Sequence, residues 1–176
     1  MKIVKALPWL LLVATLGLGF YNFGCSSFWK ASAVQLLTPL IAICITFLAT
    51  QFKNDQRKAK EHAESVAVKI QQMVSDERFC NFSGAINATE KTAVKNQVQI
   101  TNRKISNCID VLLKYGNQFK FKGDAEYIKR EFERYRETVD TYLEDFDYLE
   151  KSAPLLKKYA ANIDSKCDQV IVKLFS

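Results

Sequence analysis

Acidic residues are absent from the N-terminal part of this chain. All 19 Asp and Glu residues lie at Asp55 or later, and the first 52 residues carry only Lys2, Lys5 and Lys30 as charged side chains. The averages over all 176 residues, a net charge of +6 and 48% hydrophobic residues, therefore combine two unlike segments. The low counts of six glycines and three prolines also exclude a collagen-like chain.

Catalytic and metal-binding motifs are missing as well. The only histidine is His62, and no HExxH, GxSxG, P-loop or GxGxxG pattern occurs. The five cysteines form no CxxC pair, and their odd number argues against a disulfide framework and a zinc site. Cys80 is expected to be the most exposed of them. We therefore predict no enzymatic activity, no catalytic or metal-ligating residue and no cofactor.

Two long uncharged runs dominate the N-terminal segment. They cover residues 6–23 and 33–52, and each approaches the roughly 20 helical residues that cross a bilayer core of about 30 Å. Because lipid offers no partner for backbone N–H and C=O groups, the runs predict a transmembrane helical hairpin at residues 1–52. A cleaved signal peptide is the alternative for the first run, although no A-x-A-like site follows it.

Basic residues around the two runs predict an orientation for this hairpin. Lys2 and Lys5 precede the first run, whereas the connecting loop carries only Lys30. Because Lys and Arg are enriched on the cytoplasmic side, the pattern predicts a multi-pass inner-membrane protein with both termini in the cytoplasm. The basic cluster after the second run is expected to contact anionic headgroups of the lipid bilayer, and it comprises Lys53, Arg57, Lys58 and Lys60.

Uncharged polar residues in the second run indicate association between helices. On a shared face they would form interhelical hydrogen bonds, with the lining of a pore as the alternative, and they are Gln35, Thr38, Thr46 and Thr50. Pro39 lies inside the same run. It is a candidate hinge, with a proline tolerated in a membrane helix as the alternative.

Residues 53–176 follow a helical period with no useful strand-like alternation. They predict a cytoplasmic, all-α, up-and-down bundle of about four helices with coiled-coil-like seams. The predicted helices cover residues of about 53–79, 88–116, 124–151 and 153–175, with the last boundary set by Ser152 and Pro154.

The clearest seam has a regular four-three spacing and consists of Ile128, Phe132, Tyr135, Val139, Tyr142, Phe146 and Leu149. Such a seam can pack within one chain or between chains, and we expect self-association. Basic residues beyond the cluster, such as Arg103 and Lys114, are too dispersed to predict direct nucleic-acid binding.

A short hydrophobic hairpin followed by a helical domain without a catalytic motif resembles the two-span effectors of bacterial anti-phage systems, including those of retrons and other abortive-infection loci. The resemblance covers the architecture of the whole chain and no diagnostic motif. It implies that a cytoplasmic protein or ribonucleoprotein complex restrains the spans, which perturb the inner membrane on release. The alternatives are a non-toxic, membrane-tethered helical scaffold or adaptor that binds a cytoplasmic partner, and a holin-like pore-former.

Overall fold

A computed structural model of the chain describes Val13, residues 27–80 and residues 88–176. The regular secondary structure of these residues is entirely helical, which confirms the predicted all-α class. The helices are α1 (Ser27–Val74), α2 (Glu77–Cys80), α3 (Ala88–Gly116), α4 (Lys122–Tyr142) and α5 (Phe146–Phe175). The chain divides into two compact units, Met1–Lys58 and Ala59–Ser176.

The predicted inner-membrane localisation is wrong. No helix among the described residues has the length and apolar character needed to cross a bilayer. The second predicted span, residues 33–52, lies within α1, where Pro39 and several Thr and Gln residues interrupt the apolar run and charged residues follow from Lys53. The first predicted span, residues 6–23, lies outside the described residues apart from Val13, and the transmembrane hairpin is unsupported.

Polar residues of the second run have partners within their own helix. The Thr46 hydroxyl donates to the carbonyl of Ala42 at 2.8 Å, and the Thr50 hydroxyl donates to the carbonyl of Thr46 at the same distance. Such bonds from a residue to the carbonyl one turn earlier satisfy a hydroxyl without a second helix. Pro39 lies inside α1, and its hinge role stays a prediction, as does helix association through Gln35 and Thr38.

The unit Ala59–Ser176 is a helical bundle with one apolar core. Helix α4 packs against both α3 and α5, and α2 also contacts α5. The predicted seam residues of α4 are buried inside this chain: Ile128, Phe132, Tyr135 and Val139 are each at most 2% exposed. The first part of the seam is therefore filled by the chain's own helices.

The C-terminal end of α1 joins the bundle through apolar and polar contacts. Ala63, Ala67 and Ile70 are fully buried in the common core. On the flank of these residues, the Gln71 side-chain amide donates to the Asp164 carboxylate at 3.0 Å and to the Asp168 carboxylate at 2.8 Å. These hydrogen bonds connect α1 with α5.

The boundary between the last two helices lies earlier than predicted. Helix α4 ends at Tyr142 and α5 begins at Phe146, so the seam does not continue through one helix to Leu149. The Asp145 side chain caps α5 by accepting a hydrogen bond from the Tyr148 backbone N–H at 3.1 Å. The predicted break at Ser152 and Pro154 is wrong, because Pro154 lies inside α5.

The turn between α3 and α4 depends on close backbone approach. A Cβ atom on Gly116 would lie 2.8 Å from the Cα atom of Lys122, so only glycine fits there without a shift. Lys120 has a positive φ of 61°, and the N–H of Phe121 donates to the carbonyl of Gly116 at 3.0 Å. Helix α4 thus begins at Lys122, two residues before the predicted start at residue 124.

Candidate binding cleft

A cleft of the described bundle lies between the C-terminal end of α1 and the middle of α3. Its inner compartment has a volume of about 180 Å³. An outer compartment of about 420 Å³ shares Met73, Asp76 and Lys104 with it. The inner compartment is lined by Met73, Asp76, Phe79, Gln97, Val98, Thr101, Asn102, Lys104 and Tyr135, and we call it the inner cleft.

Aromatic side chains fix one wall of the inner cleft. The rings of Phe79 and Tyr135 stack with centroids 3.9 Å apart and planes 8° apart. The Tyr135 hydroxyl donates a hydrogen bond to the backbone carbonyl of Phe79 at 2.6 Å. Burial is the main cause that raises the pKa of Tyr135 far above its ordinary value. The phenol is therefore a neutral, rigid wall, and it is unsuited to serve as a proton donor at neutral pH.

Asn102 is the most deeply buried amide that lines the inner cleft. The residue is 8% exposed, and among the described side chains its Oδ1 is the buried atom without a hydrogen-bond partner. A buried acceptor that lacks a partner costs about 1–3 kcal/mol. Val98 and Ile105, one helical turn to either side, are buried apolar residues. The amide oxygen therefore lies behind the surface of the cleft, where it costs stability and has no described partner.

The outer compartment has a mostly apolar surface with charged and amide groups among its lining residues. Lys69 and Lys104 contribute ammonium groups, Asp76 contributes a carboxylate, and Gln72 and Asn107 contribute amides. Polar groups beside apolar surface can pair with the peptide groups of a bound chain while the apolar surface holds a side chain. Both compartments of the cleft thus combine apolar surface with polar and charged groups.

The Cys80 and Cys108 thiols are poor nucleophiles. Burial raises the pKa of Cys80 to about 11, with a smaller opposing effect of Lys157, and burial also raises the pKa of Cys108 against the smaller opposing effect of Lys69. Nucleophilic catalysis requires the thiolate and hence a lowered thiol pKa. Cys80 is 6% exposed, so the expectation that it is the most exposed cysteine is wrong.

Cys167 predicts a dependence of stability on pH. Burial, reinforced by Asp164 and Asp168, raises its pKa from an ordinary 9.0 to about 12. The thiol of the unfolded chain loses its proton at a lower pH than the buried thiol. The free energy of unfolding therefore keeps its full value below pH 9 and falls as the pH rises towards 12, by up to about 1.4 kcal/mol per pH unit. Urea unfolding at pH 8.5, 9.5 and 10.5 should show a steeper loss for the wild type than for Cys167→Ala. Equal slopes would contradict the assignment.

The residues predicted from sequence as functional are not brought together at this cleft. Lys53, Arg57 and Lys58 are exposed on α1, and the Lys60 ammonium lies 5.9 Å from the centroid of the Phe119 ring. Their predicted contact with lipid headgroups stays untested. The His62 ring meets the Tyr115 ring edge-on at 5.9 Å. Within the described ranges, no group of three or more His, Cys, Asp or Glu side chains could hold a metal ion.

The cleft residues were missed because four separate elements supply them. One local signal was available: Asn102 lies on the apolar face of α3 between Val98 and Ile105, at spacings of four and three residues. A polar amide at such a position is costly unless it serves a partner or a structural role. Comparisons of the chain with protein-family models, curated proteins and solved structures gave no match.

Proposed function

We propose that this chain is a non-enzymatic helical adaptor that binds a partner protein in the cleft between α1 and α3. The observation that carries the proposal is the form of this cleft, an inner cleft of about 180 Å³ beside a second compartment of about 420 Å³ whose apolar surface is bordered by Lys69, Asp76 and Lys104. Interfaces concentrate their binding energy where an anchor side chain fills a desolvated pocket inside a polar rim.

The chemistry of the cleft favours binding over catalysis. Its aromatic hydroxyl is held by the Phe79 carbonyl, and the nearby Cys108 thiol has a raised pKa. An enzyme of the nucleophilic class would need an activated side chain beside a base. The groups at the cleft can instead donate, accept and pack, which is sufficient for recognition.

The architectural resemblance to anti-phage effectors gives a second expectation for the partner. It implies a cytoplasmic protein or ribonucleoprotein complex as the partner, and this stays a prediction. Self-association also stays a prediction. The burial of Ile128, Phe132 and Val139 within the chain leaves that part of the α4 seam unavailable to a second copy.

Site-specific photo-crosslinking in the cells that produce the chain tests the adaptor proposal. A benzophenone amino acid at Gln97, an exposed residue that lines the inner cleft, should cross-link one predominant protein. The same photoreactive residue at Glu137, exposed on α4, is the matched control and should not give that product. An absence of adducts at Gln97, or the same set of proteins from both positions, would refute the proposal.

A further inference from the structure

We infer that the cleft binds an acidic amphipathic helix of the partner, whose carboxylates pair with Lys69 and Lys104 while its apolar side chains pack on the surface beside these lysines. This binding mode rests on the proposed adaptor function, because it names the chemistry by which that partner is recognised. Three observations carry it: two ammonium groups without a carboxylate partner, the apolar surface next to them, and the shape of the wall that α3 supplies.

Lys69 and Lys104 are the cationic residues of the outer compartment. Both are exposed, and two ammonium groups with one carboxylate, that of Asp76, give the lining a net charge of +1. Within the described ranges neither lysine forms an ion pair with a carboxylate, whereas Lys173 pairs with Asp124 at 2.5 Å. The surrounding chain is also basic, since residues 53–123 hold 13 Lys and Arg against 7 Asp and Glu. A negatively charged partner surface therefore complements the cleft.

The apolar surface of the outer compartment lies next to these charges. Met73 and Cys108 pack against the core but are only partly buried, so part of each side chain faces the compartment. The aliphatic stems of the lysines add further apolar area. The Lys69 ammonium is close enough to the Cys108 thiol to oppose the rise in its pKa. An apolar side chain that packs here is therefore best accompanied by carboxylates.

A helix satisfies the backbone of a bound segment in this cleft. The backbone groups of α1 and α3 are paired within their own helices, and the described residues include no strand edge to which an extended segment could bind. The wall supplied by α3 is a stripe of residues at helical spacing, Gln97, Thr101, Lys104 and Cys108. At a rise of about 1.5 Å per residue this stripe extends about 17 Å, the length of a helix of about eleven residues.

Carboxylates fit this surface better than the phosphates of a nucleic acid. The Asp76 carboxylate lies in the lining with the two lysines and would repel a chain of closely spaced phosphates. A phosphate backbone would also leave the apolar surface at Met73 without a packing partner. An amphipathic helix can direct carboxylates to the lysines and a neutral side chain to Asp76.

Fluorescence anisotropy with the purified full chain tests this binding mode. The probe is a labelled peptide of about eleven residues, with leucines at helical spacing, glutamates beside them and alanines elsewhere. A matched peptide carries glutamine at every glutamate position. At about 50 mM salt the glutamate peptide should bind about 10-fold more tightly, and this advantage should shrink at about 500 mM because salt screens exposed charges. Equal affinities of the two peptides at low salt, or binding by neither, would overturn the inference.

Two double variants separate the cleft from the net charge of the chain. Lys69→Gln combined with Lys104→Gln should remove the preference for the glutamate peptide while the glutamine peptide still binds. Lys114→Gln combined with Lys158→Gln removes two exposed lysines outside the lining of the cleft and should keep the preference. Loss of the preference in both double variants would mean that the peptide responds to overall charge, and it would refute binding in the cleft.

A single-stranded oligonucleotide with the same net charge as the glutamate peptide is the competing probe. It should bind about 10-fold more weakly than that peptide. Tighter binding of the oligonucleotide that also depends on Lys69 and Lys104 would overturn the assignment of an acidic helix. A partner cross-linked from Gln97, without a preference for the glutamate peptide, would leave the adaptor proposal standing and refute only this inference.

Discussion

Replacing Tyr135 with alanine is expected to lower the free energy of unfolding by about 3–5 kcal/mol, the range for removal of a large buried aromatic side chain. Tyr135 is 1% exposed, and its ring contacts both Phe79 and Phe132. Truncation would leave a cavity beside α4 and remove the wall of the inner cleft. Urea unfolding followed by far-ultraviolet circular dichroism measures the change.

Tyr135→Phe isolates the hydroxyl group. This variant keeps the ring but leaves the Phe79 carbonyl without its donor, and it should cost about 1–3 kcal/mol. Tyr115→Phe is the matched control, because the Tyr115 ring would keep its contacts with His62 and Phe119, and its effect should stay within about 0.5 kcal/mol. Equal effects of the two Tyr→Phe variants would contradict the assigned role of the Tyr135 hydroxyl.

Removing Asn162 is expected to destabilise the bundle by about 1.5–3 kcal/mol, because it leaves a buried carboxylate short of a donor. Glu131 is 3% exposed, and its carboxylate accepts a hydrogen bond from Asn162 at 2.6 Å and another from Arg134 at 2.7 Å. Asn162→Leu would keep the approximate volume and remove the donor to Oε2. Chemical unfolding at constant pH and ionic strength provides the measurement.

A double-mutant cycle tests whether this cost comes from the buried charge. In the Glu131→Leu background, Asn162→Leu should cost little, since the carboxylate that needs a donor is gone. The coupling energy should therefore approach the full cost of the single Asn162 variant. Additive effects would show that Asn162 acts through packing alone, and they would contradict the pairing of α4 with α5 through this carboxylate.

The helical class and much of the core could be predicted from the sequence. The four-three spacing of Ile128, Phe132, Tyr135 and Val139 encodes a buried helix face directly, and these residues are buried. The bounds of α3, Ala88–Gly116, also agree with the predicted 88–116. Gly116 ends the helix at a position where a Cβ atom would be too close to the backbone of Lys122. Local pattern and tertiary packing agree at these positions.

The end of α4 could not be located from the periodicity alone. The apolar spacing continues unbroken through Tyr142, Phe146 and Leu149. In the structure, however, α4 ends at Tyr142, and the Asp145 side chain caps α5 by accepting a hydrogen bond from the Tyr148 N–H. By helix propensity alone, Pro154 is the stronger stop signal. It nevertheless lies in the ninth position of α5, so tertiary packing outweighs the low helix propensity of proline there.

The localisation was predicted from the length of two uncharged runs, and the structure corrects it: among the described residues no helix is long and apolar enough to cross a bilayer. Such a helix needs roughly 20 predominantly apolar residues. Run length in a sequence alone does not establish a membrane span.

The cleft could not be predicted because it depends on distances between elements far apart in sequence. Met73, Val98 and Tyr135 converge there only after α1, α3 and α4 pack. The sequence pattern places Asn102 on the apolar face of α3, but only the tertiary structure shows that its Oδ1 has no partner within the described chain. Unsatisfied polar groups are properties of packing and cannot be derived from periodicity.

Photo-crosslinking from Gln97, repeated in a Thr101→Trp background, tests the central claim that the cleft is the binding site. Gln97 and Thr101 both line the inner cleft, and a tryptophan side chain at position 101 would fill part of it. The account predicts that the yield of the cross-linked partner falls about 10-fold in the variant, with far-ultraviolet circular dichroism unchanged. An unchanged yield from the folded variant would contradict it, because the partner would then bind while the cleft is filled.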